Sequence, residues 1–183
     1  QISYLLKNTI YSTHLLSRKN VQNIMLGFSD GTKDGGYLKA NWSIHQAKVN
    51  ISNICNKENI KVVFFDGRGG PPARGGGNTH KFYSSLGPEV ITNEIQTTIQ
   101  GQTISSNFGT IQSASYNLEL LLTAGIHHKL IIDKSYKWNE VQTSLMNKLA
   151  EISYLKYKSL KNHPKFMEYL SEYSTLKYYG LTN

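Results

Sequence analysis

The chain has 183 residues, 39% of them hydrophobic, with 20 Lys and Arg against 12 Asp and Glu for a formal charge of +8. That is enough for one domain with a core, while the longest apolar runs, Val62 to Phe65 and Leu118 to Ala124, fall far short of the roughly 20 residues a membrane helix needs and so predict no membrane span. The single cysteine, Cys55, excludes an internal disulfide, and its apolar neighbours mark it as a buried thiol in a reducing, cytoplasmic setting.

The first residues, Gln1-Ile2-Ser3-Tyr4, lack an initiator Met and the features of a secretory signal, so the chain is expected to begin within a longer protein or to have been trimmed. No repeat and no long linker divides it, and it reads as a single unit, 1–183. Ile2, Leu5, Leu6 and Ile10 predict a helix over 1–17, and Val21 to Phe28 predicts a buried strand. Ala40, Ile44, Ala47, Ile51 and Ile54 alternate spacings of four and three, which places one apolar face on a helix over about 36–56. Ile60 to Phe65 is a second buried strand. Strand, helix and strand in this order predict a right-handed crossover with parallel strands. Beyond it, Asn78-Thr79 can cap a short helix over 80–86 stopped by Pro88, and 94–108 reads as mainly extended. Ile111, Ala114, Leu118 and Leu121 mark the next helix. A longer one follows through Trp138, Val141, Leu145, Ile152 and Leu155, and a third through Phe166, Leu170 and Tyr173. The lysines between Lys129 and Lys165 fall at helical spacing among polar neighbours and read as a solvated face rather than a surface for nucleic acid or lipid.

Parallel strands end on one face, so the segments Ser29-Asp30-Gly31-Thr32-Lys33-Asp34 and Asp66-Gly67-Arg68-Gly69-Gly70 are expected to emerge side by side, where sheets of this class hold their chemistry. The stretch from Asp66 to Gly77 holds six of the 15 glycines and two of only three arginines, Arg68 and Arg74, the third being Arg18. Glycines let main-chain N–H groups approach a ligand, and an arginine fork suits phosphate or carboxylate better than a lysine point charge. The competing reading is a stand-alone module binding RNA or another anion through the Arg-Gly loop, but Arg-Gly segments of that kind are usually disordered and repeated. In the first segment a carboxylate at Asp30 can hold Mg²⁺ with water and substrate oxygens, and Lys33 can neutralise a phosphate or enolate, while Asp34 reads as the cap of the following helix. His127-His128 are placed after a helix end and no His-x-x-x-His spacing occurs, so neither reads as a metal ligand; His80 could lean toward the loop or serve its helix start.

Three ordered motifs carry a resemblance: Met25-Leu-Gly-Phe-Ser-Asp30-Gly-Thr-Lys33-Asp-Gly-Gly, then Phe65-Asp-Gly-Arg68-Gly-Gly-Pro-Pro-Ala-Arg74-Gly-Gly-Gly-Asn-Thr-His80, then Ile99-Gln-Gly-Gln-Thr-Ile-Ser-Ser-Asn-Phe108-Gly. In order and spacing they resemble phosphoenolpyruvate carboxylase. The resemblance implies an α/β fold, part of a helix-rich β/α (TIM-type) barrel with additional long helices, in an enzyme that converts phosphoenolpyruvate and bicarbonate to oxaloacetate and phosphate. It implies a metal ligand at Asp30 for Mg²⁺ or Mn²⁺, catalytic roles for Lys33, Arg68 and Arg74, and substrate binding by Arg68, Gly69, Gly70 and Arg74. It further implies a homotetramer, no nucleic-acid or membrane partner, and a piece that is inactive alone. The family's catalytic histidine and second metal carboxylate are expected upstream of Gln1, and further arginines beyond Asn183. One departure stands out: where many members of the family have His before Gly-Arg-Gly-Gly, this chain has Asp66.

Overall fold

In the computed structural model, residues 1–68, 78–90, 94–130 and 137–179 are described, and the structural statements below concern these. The predicted first helix is two, α1 (Ile2–Lys7) and α2 (Thr9–Ser17), because the Asn8 side chain accepts from the N–H groups of Ile10 and Tyr11 and starts a new helix. Lys19 and Asn20, at φ of 58° and 55°, turn the chain into β1 (Val21–Gly27). Next come α3 (Phe28–Gly35), α4 (Tyr37–Lys57) and β2 (Lys61–Gly67). The two strands are parallel in the register Val21↔Lys61 to Gly27↔Gly67, as the crossover pattern predicts. A two-residue strand, β3 (Gln96–Thr97), lies parallel on the far side of β2 and gives the sheet order β1-β2-β3.

Central β2 and exposed-edge β1 differ in burial. Val63, Phe64 and Asp66 of β2 are buried, whereas Asn23 and Met25 of β1 are exposed, which corrects the expectation of a buried first strand: among the described residues β1 pairs on one side only. The core gathers Leu6, Leu15, Ile51, Cys55, Ile60, Phe64, Tyr83, Leu86, Val90 and Ala124 around α4 and β2. Cys55 is buried there, and burial raises its thiol pKa.

The cap at Asn78 starts α5 (Thr79–Ser84) through a 2.9 Å bond from the Lys81 N–H. The stretch expected to be extended over 94–108 is strand only at β3; from Gln102 it is helix α6 (Gln102–Phe108), followed by α7 (Ile111–Leu130). His127 and His128 therefore lie inside the last turn of α7 rather than beyond it.

Helix α8 (Glu140–Lys161) begins in a capping box between Asn139 and Gln142. It docks with a face opposite to the one its apolar pattern predicts. Val141, Leu145, Ile152 and Leu155 are exposed, whereas Asn147 accepts from Trp42 Nε1 at 2.7 Å, Glu151 pairs with Lys39 at 3.0 Å, Ala150 is buried, and Tyr157 donates to the Lys33 carbonyl at 2.7 Å. The Tyr157 ring also lies 3.1 Å from where a Cβ would stand on Gly36, whose φ of 75° makes the corner between α3 and α4. A short helix α9 (Phe166–Glu168), a wide turn 169–173 and a tight turn 175–179 close the described chain in place of the single third helix expected there.

Candidate active site

Because Gly27 pairs with Gly67, the residues that leave the two strands together are Phe28 and Arg68. Arg68 is only 5% exposed, and its guanidinium carbon lies 4.0 Å from the Phe82 ring centroid and 5.7 Å from that of Phe28. Those rings stand edge to face, so a planar cation is held on an aromatic platform at the carboxyl end of the sheet. Burial lowers the guanidinium pKa from its ordinary value, opposed by Tyr83, Tyr37 and Asp66. A guanidinium remains a cation even so.

Behind Arg68 lies a polar network that the sequence analysis did not single out. Lys48 of α4 is fully buried, and its Nζ is 2.7 and 2.8 Å from the two carboxylate oxygens of Asp66. Tyr83 of α5 donates its hydroxyl to Asp66 Oδ2 at 2.9 Å. The Asp66 carbonyl accepts from the N–H groups of Arg68 at 2.9 Å and Thr98 at 3.1 Å, which joins the end of β2 to the segment after β3. Lys48 Nζ also lies 5.3 Å from the ring centroids of both Phe64 and Phe82. Burial lowers the Lys48 amine below the ordinary lysine pKa, countered by the charge and hydrogen bond of Asp66 and reinforced by Arg68. The Tyr83 phenol is pushed up, first by burial and then by the Asp66 carboxylate.

Asp30 and Lys33 stand in a different environment. Their segment, expected as a loop, is helix α3, and the two side chains pair across one turn at 3.4 Å while remaining 83% and 62% exposed. Asp30 is in the first turn, where a carboxylate complements the helix dipole, and its Oδ2 lies 3.6 Å from where a Cβ would stand on Gly27. The Lys33 carbonyl is gripped by Tyr157 at 2.7 Å and by Lys161 Nζ at 3.0 Å, both from α8. Asp34 does not cap α4. The N-cap is Gly36, with no side-chain bond, and Asp34 is exposed within α3.

Of the predicted site residues, Asp30, Lys33 and Arg68 are thus set on the carboxyl end of one parallel strand pair, with Arg68 buried and the other two on the surface. Gly69, Gly70 and Arg74 lie outside the described residues. His80 sits in α5 with Nε2 3.5 Å from Ser84 Oγ. Among the described residues no three His, Cys, Asp or Glu side chains cluster as a metal site. Lys48, Phe82, Tyr83 and Tyr157 escaped the sequence reading. For Lys48 a signal existed: it falls inside the apolar arc Ile44-Ala47-Ile51-Cys55 of α4, where a lysine requires a buried carboxylate.

The family model described as phosphoenolpyruvate carboxylase matches residues 1–180. This chain belongs to the phosphoenolpyruvate carboxylase family. It is 34% identical over 175 residues to the phosphoenolpyruvate carboxylase of Corynebacterium efficiens, covering 95% of this chain and 19% of that protein. Against that of Corynebacterium glutamicum the identity is 33% over 178 residues, 97% of this chain and 19% of the relative. With the Prochlorococcus marinus protein it is 35% over 163 residues, or 87% and 16%. The chain therefore spans about a fifth of the length of the phosphoenolpyruvate carboxylases it matches. The fold is α/β with a small parallel sheet, and no helix among the described residues is long and apolar enough to cross a membrane.

Proposed function

We propose that this chain is a segment of the catalytic β/α barrel of a phosphoenolpyruvate carboxylase, acting within a longer polypeptide on phosphoenolpyruvate and bicarbonate. The observation that carries the reading is Arg68: a scarce arginine, buried on Phe82 and Phe28, at the end of the strand that precedes the Arg-Gly sequence. Bicarbonate attacks the phosphoryl group of phosphoenolpyruvate; the bond to the enol oxygen breaks, giving carboxyphosphate and the enolate of pyruvate. Carboxyphosphate releases carbon dioxide and phosphate, and the enolate carbon bonds to the carbon dioxide to form oxaloacetate. Every species but carbon dioxide is anionic. Arg68 and Arg74, with the main-chain N–H groups of Gly69 and Gly70, hold the phosphoryl oxygens, and Lys33 holds bicarbonate and then the enolate charge.

The chemistry of the donor set fits a hard divalent cation. Asp30 offers an exposed carboxylate, which with water and phosphate oxygens is the usual environment of Mg²⁺. Mg²⁺ or Mn²⁺ held there supplies Lewis-acid neutralisation of phosphoryl and enolate oxygens. The Lys33 ammonium pairs with that carboxylate at 3.4 Å across one turn of α3.

Exposed apolar rows support the longer polypeptide. Leu118, Leu122, Ile126 and Leu130 line one side of α7, and Val141, Leu145, Ile152 and Leu155 one side of α8, surfaces that a stable protein covers. Other segments of the same polypeptide complete the barrel and cover these rows, and the full-length protein is a homotetramer. The reading is tested by oxaloacetate formation in the full-length protein with R68A and K33A. Both variants are expected to lose turnover while keeping the fold; near-normal turnover in either would remove that residue from the site.

A further inference from the structure

The most unusual group in the chain outside the predicted site is the buried Lys48. Its Nζ bridges both oxygens of the Asp66 carboxylate at 2.7 and 2.8 Å, and Asp66 is itself buried. A buried lysine is costly to desolvate and persists only where a particular charge must be met. Among the described residues the charges and dipoles around it are few: Asp66 and Arg68 from the end of β2, the Tyr83 hydroxyl from α5, and His45 from the previous turn of α4. Phe82 touches both cations, lying 4.0 Å from the Arg68 guanidinium and 5.3 Å from Lys48 Nζ.

We infer that Lys48 is a positioning residue for Arg68: by neutralising the buried Asp66 carboxylate it leaves the guanidinium stacked on Phe82, where without Lys48 the carboxylate would draw it back toward the strand. Asp66 also acts on the Arg68 guanidinium, favouring its charged form, and the Arg68 main-chain N–H bonds to the Asp66 carbonyl at 2.9 Å. Lys48 and Asp66 thus form a matched pair: a buried carboxylate is compatible with a phosphoryl-binding arginine two residues later because α4 supplies the opposite charge. The inference rests on the carboxylase reading and adds to it a residue that touches no substrate.

The test uses steady-state kinetics on the full-length protein containing this chain. K48Q leaves the carboxylate uncompensated and is expected to raise the KM for phosphoenolpyruvate by about tenfold or more with a smaller change in kcat, the pattern of lost substrate positioning. Adding D66N to K48Q removes the competing charge and is expected to bring KM back to within about threefold of wild type. A purely packing role predicts no such rescue. K48R keeps the cation, and because a guanidinium does not titrate in the accessible range it is expected to abolish any rise of KM in alkaline solution that accompanies loss of the Lys48 proton. That comparison decides the matter if K48Q does not fold. An unchanged KM in folded K48Q overturns the inference, as does a double variant no better than K48Q, or identical alkaline profiles for wild type and K48R. A wild-type protein that forms no oxaloacetate overturns the carboxylase reading and this inference with it.

Discussion

Lys48 on α4 and Asp66 at the end of β2 meet as a buried ion pair, with Nζ 2.7 Å from one carboxylate oxygen and 2.8 Å from the other and the Tyr83 hydroxyl 2.9 Å away. Each charge is tolerated because the other is present. Deleting one strands the other in a low-dielectric interior, and deleting both leaves an ordinary apolar contact between a helix and a strand.

K48M is accordingly expected to destabilise the chain by about 3–5 kcal/mol, whereas K48M combined with D66L recovers most of that loss. Urea unfolding followed by the fluorescence of Trp42 and Trp138 measures both. A K48M variant within about 1 kcal/mol of wild type would show that water or another group satisfies Asp66.

The stacking of Arg68 on Phe82 makes its planarity matter. R68K retains the charge but gives up the forked donor geometry and the flat contact, and is expected to lower kcat/KM for phosphoenolpyruvate in the full-length protein by about 10²–10³. Activity within a few-fold of wild type would mean that a point charge is sufficient at this position.

His45 stacks on Trp42 at 5.3 Å between centroids and lies 6.2 Å from Trp138, and burial, the largest influence, lowers its pKa from 6.5 against the opposing charge of Glu89. Below pH 6.5 the unfolded chain takes up the proton more readily than the folded one. Stability is therefore full above that pH and declines as pH falls toward the folded value, levelling off beneath it. H45Q is expected to flatten the profile of urea midpoint between neutral and mildly acidic pH. Parallel profiles for the two proteins would sink the assignment.

The inverted docking of α8 separates two substitutions on one helix. Ala150 is buried, so A150L is expected to overpack and cost about 1–3 kcal/mol, whereas L155Q, on the exposed apolar side, changes the stability of the isolated chain by less than about 0.5 kcal/mol. Equal effects in a denaturation series would mean that the apolar side is the docked one. In the full-length protein the order is expected to reverse in part, since burial of Leu155 against another segment makes its loss felt.

Much of the framework was legible because local chemistry dictates it. The Val62 to Phe65 run, the apolar spacing of α4 and the cap at Asn78 each specify their element with little outside help, and the parallel pairing of β1 with β2 follows from having a helix between two strands. Less legible were α3 and α6, short helices rich in Ser, Asp, Gly and Thr or in Gln, Ser and Asn, where intrinsic preference is weak and neighbouring elements decide. Clamping of the Lys33 carbonyl by Tyr157 and Lys161 from more than 120 residues away is such a decision.

By itself the sequence determined the two strands, the helix between them, the family, and the segments holding Asp30, Lys33 and Arg68, because apolar period, glycine content and residue scarcity are local properties of the chain. Only the tertiary structure decided that Asp66 is met by Lys48 and Tyr83, that Phe82 carries Arg68, and that α8 turns its polar side inward. Those outcomes depend on charge and hydrogen-bond partners that lie 17, 18 and more than 100 residues apart along the chain, and a buried polar group is satisfied by whatever the fold brings within bonding distance.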